Sequence, residues 1–434
     1  MSDSQHKQNG AEEATRPAQA PEMEALSLKA LIVTYLPALV LGLGAGVALP
    51  AVPSLAKSFD VSFGVASWVV TAHLLGNLAG TLPTGWLIDR FGRRSVMIGG
   101  PIVTAVAALA VFAASSFPEL LVWRFVGGWA SQMWLMGRLA AISQGASPNQ
   151  RGRQVSWMFG MDNTGMLAGP LVGGAIASVW GEAAPFLVYA GVALLALVPT
   201  LAFPDRGPGA SGPVPRAESG RSAGAEAKAG AARQSPTQDS TWSIIRSRLA
   251  YFAIALFSGV TRGPLSAGLL HLYAAFAYDL GAAEIGLLAT AAAFISWPIG
   301  FIAGWMMDRF GRKRTMAPGF GGVGLAMALL AVSAFMKLPF EWYVALFFLA
   351  VALQALTGGS IQTIGADVAP AHARGRFLGM WRFTGQGGAA LSPMIFALIA
   401  EKANYGSAFL FTAAAGLTVA FLVVFRVPET GRKN

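Results

Sequence analysis

Roughly twelve stretches of about 20 apolar residues punctuate this chain, each long enough to cross a hydrocarbon layer about 30 Å thick as a helix. They lie near 29–51, 64–87, 95–115, 119–145, 154–179, 184–203, 249–277, 284–306, 315–336, 340–366, 376–400 and 405–427. All are rich in Ala, Leu, Gly, Val and Phe, without the alternation that a transmembrane barrel strand needs. Spanning helices satisfy their own backbone groups, so Pro83, Pro170, Pro264, Pro298 and Pro393 are tolerable inside them. Only 12% of the 434 residues are charged, against about 25% in a soluble domain, too little polar surface to cover a water-soluble globule. The expectation is an all-α integral membrane protein.

Several chemistries are excluded by what the chain lacks. With no cysteine there is no disulfide framework, thiolate-bound zinc, iron–sulfur cluster or cysteine nucleophile. The net charge of +10 falls between apolar runs instead of forming one basic face, so no nucleic-acid partner is expected. The dipeptide Gly-Lys occurs nowhere, which removes the phosphate-binding loop of a primary pump. Gly42, Gly44 and Gly46 sit inside an apolar span and not after a soluble strand, and the four His are scattered. No cofactor, no metal and no enzymatic activity are expected.

Residues 1–28 are polar and read as a disordered cytoplasmic N-terminus without a signal peptide's apolar core, leaving the first span as an uncleaved signal. Residues 204–247, mostly Gly, Ala, Ser, Pro and scattered charge, read as a flexible cytoplasmic linker. It separates a six-span bundle at 29–203 from a second at 248–428, followed by a cytoplasmic tail at 429–434. Loops after even-numbered spans hold Arg90, Arg93, Arg94, Arg151, Arg153, Arg309, Arg312, Lys313, Arg314, Arg374 and Arg376, whereas those after odd-numbered spans hold Lys57, Lys337 and Lys402. That bias puts both termini and the linker in the cytoplasm of a multi-pass plasma-membrane protein, a bacterial inner membrane being the expected one.

The two halves repeat each other. Gly85-Trp86-Leu87-Ile88-Asp89-Arg90-Phe91-Gly92-Arg93-Arg94 recurs as Gly304-Trp305-Met306-Met307-Asp308-Arg309-Phe310-Gly311-Arg312-Lys313. Arg151-Gly152-Arg153 recurs as Arg374-Gly375-Arg376, and Gly165 with Pro170 as Gly388 with Pro393. Parallel six-helix halves with a site between them near the midplane are one known transporter plan. Over essentially all of 29–430 the chain resembles the major facilitator superfamily, whose hallmark G-x-x-x-D-R-x-G-R-R loop it carries twice, most like the drug/proton antiporter-type members. Val427-Pro428-Glu429-Thr430 also looks like many family C-termini. The resemblance implies two pseudo-symmetric six-helix bundles and alternating access.

Asp89 follows span two, Gly92 permits a tight turn, and Arg93 and Arg94 face the anionic inner leaflet. The resemblance implies that Asp89 meets the N-terminus of span eleven when the cytoplasmic side is shut, worth about 0.3–1 kcal/mol for a carboxylate at a helix start. The alternative is that these residues only anchor topology. In span five, Gly165, Gly169, Pro170, Gly173 and Gly174 match most of a pattern found in proton-exchanging exporters, with Ser156 in place of its first Gly. Small residues at this spacing also serve ordinary close helix packing.

A charge at the bilayer centre costs about 2.5–3.5 kcal/mol on insertion scales, so each one needs a reason. The polar candidates are His73 and Asn77 in span two, Arg124, Gln132 and Arg138 in span four, and Asp162 and Asn163 in span five. The second half adds Arg262, His271, Gln354, Gln362, Arg382 and Gln386. The resemblance places their spans around the central cavity. Arg124 in Trp-Arg-Phe-Val-Gly-Gly is similar to the fourth-span Arg motif of proton-coupled members; snorkelling to the interface is the alternative. His73 and His271 either titrate or pack as hydrogen-bonded residues. The first span has no acid between 31 and 53, which leaves Asp162 as the carboxylate clearly inside a span. Depth counting puts Arg138 and Asp162 at one level as a buried pair, either static or opening as Asp162 accepts the coupling proton.

The function expected is proton-coupled export of a small amphipathic organic compound, with Trp68, Trp134, Trp157, Trp297 and Trp381 as an aromatic interior. A carrier of organic anions is the alternative, since four intramembrane Arg face one buried Asp, and a non-transporting receptor or scaffold is a third reading. The expected partners are the lipid bilayer, a small-molecule substrate and protons, with the protein acting as a monomer.

Overall fold

The computed structural model describes residues 32, 35–145, 148–202, 246, 248–266, 268–370 and 374–427. The expected N-terminus, the linker, the C-terminal tail and most of the Val427–Thr430 ending lie outside the described residues. Helices occupy all twelve expected places. Span one is Leu36–Ala48 with Ala51–Lys57, span two Phe63–Ala66 with Trp68–Phe91, and span three Arg93–Ala113. Span four is Phe117–Gly145, span five Pro148–Trp180, and span six Ala184–Leu195 with Leu197–Ala202. Span seven is Leu249–Ser266 with Leu269–Ala277, span eight Ala282–Phe310, and span nine Arg312–Met336. Span ten is Phe340–Ala355 with Ser360–Val368, span eleven Arg374–Lys402, and span twelve Tyr405–Arg426.

Among the described residues nine spans are long and apolar enough to cross a membrane, or ten when the bent pair of span seven counts as one. Spans four and five fall outside that set. They are the two that carry Arg124, Gln132, Arg138, Asp162 and Asn163, so the polar residues that lower their hydropathy are also the functional candidates.

Glycine sets the packing within each half. A Cβ on Gly42, Gly165 or Gly173 would run into the backbone of the facing helix, so spans one and five lie backbone against backbone. Spans seven and eleven repeat this through Gly259 and Gly388, where Ser392 Oγ also donates to the Val260 carbonyl at 2.7 Å. Spans two and four close through Gly76 and Gly128, and spans nine and twelve through Gly324 and Gly416. Small residues let helices without a hydrophobic driving force gain dispersion contact.

Several expected boundaries shift; two of them bear on the polar motifs. Span two runs on to Phe91, so Asp89 and Arg90 occupy its last turn, not the loop beyond it. Span five starts at Pro148, six residues earlier than expected, because the polar Arg151-Gly152-Arg153 segment is itself helical. Low hydropathy marks where a helix leaves the apolar layer, not where its hydrogen bonds stop.

Candidate functional site

The ends of the molecule are distinguished by the duplicated loops: the motif end carries both copies, and the far end lies opposite. Among the described residues, the side-chain contacts between the halves gather at the far end. Lys57, at the foot of span one, forms an ion pair with Asp279 and donates to the Ala275 carbonyl at 3.2 Å. Ser62 Oγ donates to Glu401 Oε1 at 3.0 Å. Phe63 of the first half inserts among Phe276, Phe396 and Tyr405 of the second, at ring separations of 5.8, 6.4 and 5.0 Å. Gly174 and Pro170 of span five lie against Ala282 and Gly286 of span eight. The two halves are therefore held together at the far end.

At the motif end the two copies of the loop share one geometry. Gly92 and Gly311 adopt φ of 80° and 92°, a region that a side chain disfavours, and each joins two spans in a single-residue turn. Asp89, Arg90 and Arg94 are exposed, and Gly85 and Gly304 stand in open space. Among the described residues no hydrogen bond or ion pair links Asp89 to span eleven; residues 371–373 and the side chains of 374–376 lie outside the description. The Asp308 side chain is likewise not described. Arg309 lies 5.5 Å from the Trp305 ring and 5.9 Å from that of Phe310, while Arg312 pairs with Asp367 at the end of span ten. Lys313 is half-buried in the first turn of span nine, as is Arg93 in that of span three.

On span eleven, Arg382, Phe383 and Gln386 are exposed on the sector turned away from span seven. Asn163 and Phe159 are exposed on span five, on the side that nearer the far end meets span eight. Arg262 is exposed one turn before the break at Gly268, which has φ of 83°. These exposed residues lie on spans five, seven and eleven, which the resemblance places around a central cavity.

Other candidates sit elsewhere. His271 is 6% exposed and packs edge-on to Phe347 at 5.3 Å, with neither ring nitrogen hydrogen-bonded. Trp381, 4% exposed, lies under Gly365 and stacks on Phe377, so it belongs to the core and not to an aromatic interior. Trp68, Trp157 and Trp297 are exposed, and Trp134 lies beside Arg138.

The first bundle holds a row of polar groups of its own. Arg138, 3% exposed, stacks over Trp134 at 4.6 Å and lies within electrostatic range of Asp162. The two do not close the expected ion pair, since the guanidinium lies against the indole instead. Below them Tyr35, Ala38, Ile142 and Met158 form an apolar layer toward the motif end. Nearer the far end Arg124 donates from Nε to the Val69 carbonyl at 3.5 Å and lies 6.0 Å from the Phe186 ring. Arg124, His73, Thr104 and Tyr189 share a small cavity of about 20 Å³ with Ala108 and Trp123. His73 Nδ1 is buried there without a hydrogen-bond partner. Asn77, one turn below His73, is half-buried.

Sequence reasoning passed over Ser131 and Tyr189. Arg124, Ser131 and Arg138 recur every seventh residue and so share one face of span four. Tyr189 lies beside Ser131 and within electrostatic range of both Arg124 and Asp162. The heptad spacing was the available signal for Ser131; nothing local marks Tyr189.

A sequence model of the Major Facilitator Superfamily matches residues 35–277 and 265–434. The chain is 32% identical over 173 residues to a 3-(3-hydroxy-phenyl)propionate transporter of Escherichia coli, covering 38% of this chain and 41% of that one. It is 31% identical over 161 residues to a multidrug resistance protein B homolog of Mycobacterium tuberculosis, covering 36% and 30%. With the quinolone resistance protein NorA of Staphylococcus aureus the identity is 24% over 170 residues, covering 39% and 44%. The matched stretch spans less than half the length of each of these relatives. Among solved structures, a D-xylose-proton symporter superposes with a TM-score of 0.71 at 18% identity over 94% of this chain and 99% of that one. A POT family transporter in complex with 5-aminolevulinic acid gives 0.74 at 11% identity, over 91% and 95%. These likenesses show the fold.

Proposed function

The chain belongs to the Major Facilitator Superfamily, a multi-pass transporter family of the lipid bilayer, and we propose that this member exports a small amphipathic organic compound in exchange for protons. The observation that carries the reading is Asp162: a mid-span carboxylate, in range of Arg138 yet not locked to it, with Asn163, Arg382, Phe383 and Gln386 exposed on spans five and eleven. A charge so placed is costly unless it serves transport. In this reading Asp162 takes up the proton as the central cavity exchanges substrate, and Arg138 supplies the compensating charge when the proton leaves. The relatives named for multidrug and quinolone resistance support an exporter. The positive bias of the motif-end loops supports a cytoplasmic motif end in a plasma membrane.

Uptake and efflux of a labelled compound panel by protein in liposomes, with and without a pH gradient, tests it. Gradient dependence is expected for the transported compounds, and its absence for all of them overturns proton coupling. In Asp162→Asn, substrate exchange is expected to survive while pH drive is lost.

A second reading, a carrier of organic anions, is favoured by exposed Arg382 one turn from Gln386 and by the relative named for hydroxyphenylpropionate. Neutralising Arg382 or Arg262 would then weaken anionic substrates more than neutral ones. Equal loss across both classes would indicate a folding or gating defect.

A further inference from the structure

The polar groups of the first bundle make a continuous row by their spacing. Arg124, Ser131 and Arg138 stand at intervals of seven residues on span four, about 10 Å apart at 1.5 Å per residue. Span four is unbroken from Phe117 to Gly145, so the three keep one face. Spans two and three pack along span four, and Asp162 of span five and Tyr189 of span six come within electrostatic range of that face. Span one brings the others in: the Asp162 backbone rests against Gly42, and the Tyr189 ring against Gly44. Two residues of helix separate those contacts by about 3 Å along the axis, so Asp162 and Tyr189 meet span one at nearly one depth.

The far end of the row is the cavity that Tyr189 and Arg124 share with His73. Its volume of about 20 Å³ exceeds the ~10–15 Å³ that one water requires. The water's partners would be the Tyr189 hydroxyl, the Arg124 guanidinium and His73 Nδ1, a buried nitrogen otherwise without one. The motif end is closed by the apolar layer of Tyr35, Ala38, Ile142 and Met158. A proton on Asp162 thus has polar neighbours toward the far end and apolar ones toward the motif end.

We infer that Tyr189 links Asp162 to the far side of the membrane, passing the coupling proton from a hydrated cavity beside Arg124 and His73. In this relay a water bridges the Tyr189 hydroxyl and the Asp162 carboxylate: the carboxylate takes a proton from the bridging water, the hydroxyl restores it, and the hydroxyl is reprotonated through the cavity water from the aqueous phase at the far end, so that ring and waters end neutral. The groups around it are Arg124 and Ser131 from span four, His73 from span two and Asp162 from span five, with Arg138 beyond the carboxylate. The positive Arg124 keeps the cavity from storing a proton, which suits a passage and not a reservoir.

This rests on Asp162 as the proton acceptor, and the experiment separates the two claims. Wild type, Asp162→Asn, Tyr189→Phe and Ala108→Val are compared in liposomes for substrate exchange at equal pH and for pH-driven transport. Tyr189→Phe keeps the ring against Gly44, and Ala108→Val fills the cavity without touching a charge. The expected result is normal exchange in both, with pH-driven transport slowed about a hundredfold, the low end of what a positioned proton-transfer group contributes. Normal pH drive in Asp162→Asn refutes the acceptor itself. Loss of drive in Asp162→Asn, with full drive in both Tyr189→Phe and Ala108→Val, overturns the route alone. Equal loss of exchange and drive in Tyr189→Phe together with full drive in Ala108→Val also overturns it, because a packing role then accounts for Tyr189.

Discussion

Lys57 bridges the two halves at the far end, pairing with the Asp279 carboxylate while its ammonium also donates to the Ala275 carbonyl. Asp279 sits at φ of 58°, in the short turn between spans seven and eight, on a backbone that turns its side chain toward span one. The hydrogen bond from Lys57, and then its charge, hold the Asp279 carboxyl below the usual carboxylate range. A lowered value means that the contact is complete above about pH 4, the ordinary Asp range, and fades as the pH falls through the lowered value. Far-end closure is therefore expected to loosen only in acid, and in Asp279→Asn to be weakened at every pH. The chain has no Cys, so a pair of introduced label sites across the far end gives an unambiguous distance. An unchanged distance distribution in Asp279→Asn would show that the bridge is incidental.

Phe63 contributes more to closure than that exposed ion pair. It is 7% exposed and meets three rings of the other half. Edge-to-face pairs contribute about 0.5–1.5 kcal/mol beyond their buried area. Phe63→Ala should shift the population toward a far-end-open state while leaving each bundle folded. The same label pair reports the shift, and salt, which screens Lys57–Asp279, should leave it unaltered.

Gly173 and Gly174 are adjacent in sequence and divided in role. A Cβ on Gly173 meets the Val47 carbonyl within the first half, whereas one on Gly174 meets Ala282 and Gly286 of the second. Gly173→Ala is expected to lower thermal stability, by about 1–3 kcal/mol for an overpacked contact. Gly174→Ala should leave the melting temperature nearly unchanged and open the far end. Gly85→Ala, with open space around it, serves as the control for both.

Asp89 is exposed in this far-end-closed form, where no described hydrogen bond or ion pair joins it to span eleven. The gating contact that the resemblance implies would be made in the opposite state. Asp89→Asn should insert and melt normally and favour the far-end-closed form, which lowers transport by slowing the return. Full transport by that variant would leave the residue a topology anchor.

Much of the architecture was legible because bilayers impose one strong requirement: each span must be long, apolar and internally hydrogen-bonded. The duplicated loop needed only reading, since Gly92 and Gly311 sit where a positive φ is required. Contacts between distant spans were harder. Depth counting brought Arg138 near Asp162 but not the Trp134 ring that the guanidinium prefers. Trp381 looked like cavity lining by residue type, yet Gly365 makes a slot that buries it. Lys57, Phe63 and Glu401 find their partners more than 200 residues away, where no local pattern can point.

Span ten stops at Ala355 and restarts at Ser360, through Gly359 at φ of 74°, while its counterpart, span four, runs without interruption. An unjointed helix behaves as a ruler: the spacing of the side chains along it survives when the bundle tilts. A jointed one bends first and lets its two segments rotate independently. The positions 223 residues beyond Arg124, Ser131 and Arg138 are Phe347, Gln354 and Ile361, and the joint separates the last two. The second half thus has compliance where the first has register. A tilt of the second half is taken up first at Gly359, while the spacing of Arg124, Ser131 and Arg138 along span four is kept.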